Sequence, residues 1–179
     1  MAERPTLTLS KLEAARRQLE TAARLYFSEA DPVSIHTLVS AAYEILSDVN
    51  RARGGSPMLK EQLPTWVRRD ANTEARRRLN EAANFFKHAD RDYDQVLEFR
   101  PGLSEFLMFD AVRKYRELTG ELLPILGVYE AWFWIGPGAG LVMDSEPQRV
   151  LEQMLEAFPN ATRGSFLAEA LPMIPGVKR

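Results

Sequence analysis

The chain contains no cysteine and only two histidines, His36 and His88. Without cysteine there is no disulfide, no thiolate metal site and no cysteine nucleophile, a composition compatible with a cytoplasmic protein. Familiar catalytic signatures are absent too: no HExxH, no Glu-x-x-His pair of the di-iron type, no GxSxG and no phosphate-cradling glycine loop. No run alternates with period two for long enough to form a strand. The opening "MAERPTLTLSKLEAARRQ" lacks the basic region, apolar segment and small-residue cleavage site of a secretory signal. No export by that route is expected, and "NAT" at 160–162 is then an idle sequon.

Long apolar runs are scarce as well. The one to test is Leu122 to Met143, 22 residues with a single charge, Glu130. A membrane-spanning helix needs about 20 apolar residues. Here "GPGAG" at 136–140 breaks the run after about 14, too short to cross, and Glu130 would sit unpaired in lipid. No membrane partner is expected. A helix apolar on all sides, "LLPILGVYEAWFWI", instead needs covering by the rest of the protein or by a second subunit. The spacing therefore predicts a homodimer formed partly through Trp132, Phe133 and Trp134.

What is present is a series of helices with clear punctuation. "SKLE" opens the first, with Ser10 as cap and Glu13 placed for a capping box, and Leu12, Ala15, Leu19, Ala22 and Tyr26 follow at helical spacing. "DPVS" opens the second, with Asp31 as cap and Pro32 in the first turn. Its apolar face is Ile35, Leu38, Ala42, Leu46 and Val49, and "RGG" at 53–55 ends it. His36, Ser40, Tyr43, Ser47 and Asn50 form a polar side. A long connection at 54–71 carries Leu63, Trp66 and Val67 for packing on the bundle surface. A third helix at about 73–89 turns Leu79, Ala82, Ala83 and Phe86 inward. The fourth starts with Ser104 as cap and Glu105 in its first turn and stops at Gly120, and the all-round apolar helix is the fifth. After residue 144 come a helix capped by Ser145 and a final segment, "SFLAEALPMIPGVKR". The predicted fold is all-α, an antiparallel bundle of about five main helices over 1–143 with a short helical appendage over 144–179.

Charge is unevenly spread. Residues 51–78 hold eight Lys or Arg against three Asp or Glu, and residues 79–146 hold six against twelve. Arg76, Arg77 and Arg78 fan over about 200° of a helix and cannot all face one phosphate backbone, so nucleic acid is not the favoured partner. The sharper feature is "NFFKHADRD" at 84–92. Lys87 and His88 suit a helix C-terminus, but Asp90 and Asp92 immediately after them do not. By helical phase both histidines lie off the core-facing stripes. They serve either as solvated helix-end residues, or as a shared site, or with Asp90 or Asp92 as ligands of an N/O-coordinated metal. If the second and third helices are antiparallel neighbours, His36, Asn84, His88, Asp90 and Asp92 meet at one end of the bundle, able to bind a small polar ligand. No cofactor is expected.

The bundle pattern with "NEAANFFKHADRD" at 80–92 resembles the HEPN superfamily of helical nucleotide-binding and ribonuclease domains, and bacterial proteins with a similar "FFKHADRD" segment. The resemblance covers roughly residues 8–135. It implies a dimeric helical domain acting on nucleotides or RNA through an Arg, a following polar residue and a His. Asn84 and His88 match the polar residue and the histidine. Ala83 stands where the arginine belongs, so the cation that stabilises the developing phosphorane charge is missing. Two functions follow: a homodimeric helical binding or interaction module of unknown ligand, or a HEPN-like nucleotide-binding or ribonuclease-type protein.

Overall fold

Capping chemistry sets where the helices begin. In the computed structural model, which describes residues 6–61, 69–90, 93–136 and 160–173, α1 is Lys11–Phe27 and α2 is Pro32–Ala52. Ser10 Oγ accepts the Glu13 N–H at 3.1 Å, and Asp31 Oδ2 accepts that of Ser34 at 2.7 Å. The return half of the α1 capping box is not made, because the Glu13 carboxylate engages Arg16 and Arg17. Then come α3, Arg69–Phe85, α4, Gly102–Thr119, and α5, Pro124–Ile135. The described residues end with α6, Arg163–Ala170, and a 3-10 turn, Leu171–Met173. No strand occurs among the described residues, so the protein is all-α. Leu63, Trp66, Val67, Asp92, Ser145 and the helix expected after it lie outside the described residues.

The short 28–31 connection folds α2 back along α1, and α4 packs on the other side of α2. α2 is therefore covered from two sides, and this corrects the reading of its polar side. His36, Ser40, Tyr43, Ser47 and Asn50 are all buried, beside the expected Ile35, Ala42 and Leu46, whereas Leu38 and Val49 are only partly so. Within the row, His36 and Tyr43 meet partners on α4, and Ser47 and Asn50 meet the turn that follows α2. Ser104 is one of the α4 partners: α4 begins earlier than expected, at Gly102, and Ser104 is a buried contact residue, not a cap. Gly120 ends α4 at φ 73°, a left-handed geometry that a side chain would strain.

The apolar α5 is covered largely from within the chain. Phe133 stacks on Phe109 with ring centroids 4.0 Å apart, and Trp132 donates its indole N–H to the Tyr26 hydroxyl at 3.0 Å. α6 closes over this side, with the buried Phe166 ring 5.2 Å from Trp132 and the Arg163 guanidinium 4.3 Å from the Tyr26 ring centre. Of the three residues expected at a dimer surface, Phe133 is buried within the chain, and Trp132 and Trp134 are half-buried against α1, α4 and α6. No helix among the described residues is long and apolar enough to cross a membrane.

Candidate functional site

The polar row of α2 recurs every three or four residues, so its members stack along one side of the helix. Four of the five meet different neighbours, and Ser40 makes no side-chain hydrogen bond among the described residues. His36 Nδ1 lies 2.9 Å from Ser104 Oγ. The Tyr43 hydroxyl donates to Asp110 Oδ2 at 2.8 Å and accepts the Lys60 N–H at 2.8 Å. Ser47 donates to Glu61 at 2.7 Å, and Asn50 donates to the Ser56 carbonyl at 2.8 Å. Asp110 also accepts the Leu59 N–H at 2.8 Å, which ties the 56–61 turn to α4. Burial raises the Asp110 carboxyl above its ordinary range, against the hydrogen bonds from Tyr43 and Leu59. Burial likewise raises the Tyr43 hydroxyl, helped by the Asp110 charge.

Where this seam reaches the surface it forms the floor of an open groove of about 510 Å³ between α2 and α3. α2 contributes Tyr43, Glu44, Ser47 and Arg51, the 56–61 turn contributes Lys60 and Glu61, and the other wall is Asn80, Ala83, Asn84, Lys87 and His88. The two sides differ in kind. The floor is internally satisfied: Arg51 pairs with Glu61 at 2.9 Å, and Lys60 pairs with Glu44. The Arg51 and Ser47 hydrogen bonds hold the Glu61 carboxyl below its usual range. On the α3 wall, Asn80, Asn84, Lys87 and His88 point four exposed polar side chains at the groove, and none makes a hydrogen bond or ion pair within the described residues.

Two of the residues singled out from sequence, Asn84 and His88, therefore line one groove. Asp90 is exposed and does not line it, and Asp92 lies outside the described residues. His36 is level with them, its ring 5.6 Å from Phe86, but it is completely buried behind that phenylalanine. The solvated reading of His36 is thus corrected: helical phase placed it away from the α1 contact, and α4 buries that side instead. Burial, with Lys87 and Lys60 nearby, pulls its imidazole down to about 4. Among the described residues no group of three or more His, Asp or Glu side chains is placed to hold a metal ion.

Sequence reasoning missed Asp110 and Lys60, and it gave Ser104 the role of a cap. Asp110 had a signal: it is a carboxylate within the apolar run of α4, between Phe109 and Ala111, and such a residue needs an internal partner. On its other side α3 borders a smaller cleft of about 250 Å³, lined by Arg77, Arg78 and Arg100 together with Glu81 and Glu98. Arg77 turns to Glu81 at 2.9 Å, so the arginine run is partly neutralised along its own helix. Comparison with protein-family models, with curated proteins and with solved structures found no match for the chain.

Proposed function

We propose that the chain is a helical binding module whose α2–α3 groove takes a small polar ligand bearing an acidic group, of the nucleotide class. The observation that carries this reading is the α3 wall, where two amides, an ammonium and an imidazole face one groove without side-chain partners among the described residues. Amides read the donor and acceptor edge of a base-like group, while Lys87 and His88 favour an oxyanion. The opposite wall adds Arg51 and Lys60, each already paired with a carboxylate, which tempers the positive field and suits a singly or doubly charged ligand better than a polymer. The HEPN-like resemblance of the 80–92 segment supports a nucleotide as the ligand class. Ala83, buried in the α3 wall, leaves the groove without the arginine that cleavage of RNA would call for. Dimerisation is not required for this reading.

Isothermal titration of the full chain with AMP, ADP and inorganic phosphate tests it. Binding of a nucleotide is the expected result, weakened about tenfold or more by Lys87→Ala, which loses a charge-assisted contact worth about 1.5–3 kcal/mol, and about two- to tenfold by Asn84→Ala, which loses a neutral one. Absence of heat with all three ligands overturns it. RNA hydrolysis by the purified chain, lost in His88→Ala, would favour the ribonuclease reading instead.

A further inference from the structure

His36 is the one histidine the groove does not use. Its ring has no exposed surface, and among the described residues only one of its nitrogens has a partner: Nδ1 meets Ser104 Oγ, while Nε2 is buried without a hydrogen bond. Two phenyl rings box it edge-on, Phe86 at the end of α3 with centroids 5.6 Å apart and Phe99 from the 93–100 segment at 5.0 Å. Those two rings also meet each other, 5.1 Å apart. The charged groups that act on the imidazole are both cations, Lys87 just after α3 and Lys60 of the 56–61 turn. α4 presents Ser104 and the 93–100 segment presents Phe99, and no carboxylate acts on the ring among the described residues.

We propose that His36 is a proton-operated latch on the α3 wall of the groove: neutral, it seats Phe86 and Phe99, and a second proton on the ring lifts that cover and dismantles the binding wall. The charged ring carries two N–H donors, and among the described residues Ser104 Oγ is its one hydrogen-bond neighbour, so the N–H at Nε2 lies among phenyl edges with no acceptor there, in the field of Lys87 and Lys60. Leaving a charged donor unpaired in such a place is costly, and hydration is the only relief. Ser104 belongs to the closely packed α2–α4 contact, whereas Phe86 and Phe99 are only half-buried, so the cover yields before the core does. Phe86 lies two residues from both Asn84 and His88, and its N–H closes the last turn of α3 on Ala82. Lifting it displaces Asn84, Lys87 and His88 together. The inference rests on the groove being the ligand site, but the latch itself is measurable without ligand.

Only two imidazoles exist in the chain, so His88→Gln leaves His36 as the sole signal in a histidine NMR titration. In that variant and in wild type, hydrogen exchange of segments 79–90 and 93–104, corrected for intrinsic rate, is compared between about pH 7.5 and pH 4.5. Expected is at least about tenfold faster exchange in both segments at the lower pH, following the His36 titration, with α1 unchanged. His36→Asn keeps a partner for Ser104 and removes the proton, so its exchange is flat with pH. If His36→Asn fails to fold, the His88→Gln titration decides alone. A His36 ring that titrates at its ordinary value, or one that titrates while the two segments stay protected, overturns the latch. Nucleotide binding that fails at neutral pH while the exchange behaves as expected sinks the ligand reading and leaves the latch standing.

Discussion

Asp110 and Ser40 sit on facing helices and make opposite demands. Asp110 satisfies two donors, the Tyr43 hydroxyl and the Leu59 N–H, through a single oxygen. Asp110→Asn keeps an acceptor at that place and sheds a charge that burial disfavours, so urea unfolding at neutral pH should shift by less than about 0.5 kcal/mol. Asp110→Ala leaves both donors stranded and should cost about 2–4 kcal/mol in the same measurement. Equal losses in the two variants would mean that the carboxylate charge, not its acceptor geometry, holds the turn. Ser40 is the converse case, a buried hydroxyl with no hydrogen-bond partner among the described residues. Ser40→Ala should stabilise by up to about 1 kcal/mol, and a loss of stability would show that the hydroxyl is satisfied after all.

At the scale of elements, helix ends were legible where a cap or a glycine sets them locally, and not at α4, which starts before Ser104, or α3, which runs Arg69–Phe85 and not about 73–89. Asp31 with Pro32, Ser10 and Gly120 act where their types suggest. The side of a helix that becomes buried was less legible, because it depends on how many neighbours the helix acquires. A polar row such as His36, Ser40, Tyr43, Ser47 and Asn50 reads as solvated until α4 supplies Ser104 and Asp110 to meet it, and those partners are about 67 residues away in the chain. For the same reason Asn84 and His88 could be nominated from their helix, whereas the Lys60 and Glu61 opposite them could not. α6 gives a test at this scale. Phe166 anchors it against Trp132, and Arg163 adds a half-exposed ion pair to Glu105 at 3.4 Å. Phe166→Ala should therefore detach α6 before the bundle unfolds. Tryptophan emission should shift to the red at temperatures where far-ultraviolet circular dichroism is unchanged, and coincident transitions would show that α6 is part of the cooperative core.

For the whole molecule, the buried histidine gives stability a sign with pH. Its folded value of about 4 against an ordinary 6.5 means that the unfolded chain binds the extra proton between those limits. The contribution is complete above about pH 6.5 and is lost as pH falls toward 4, a change of about 3 kcal/mol. The raised carboxyls of Asp110 and Glu105 act the other way, since they favour the protonated form on folding and so gain as pH falls. Comparing urea midpoints of wild type and His36→Asn at about pH 7 and pH 4.5 isolates the histidine, and parallel changes in both proteins would remove it from the account.

The buried polar row has one more consequence, for the order in which the chain assembles. α1 and α2 are joined by four residues and pack extensively, so this hairpin is the cheapest part of the fold to close. Until α4 arrives, the face it shows to water is the row from His36 to Asn50 and not a second apolar stripe. A half-built molecule is thereby kept from sticking to its neighbours, a protection that a wholly apolar α2 would forfeit. Ser40→Leu with Ser47→Leu should then lower the yield of refolding at micromolar concentration more than at nanomolar, because the nascent hairpins would capture one another before α4 could dock.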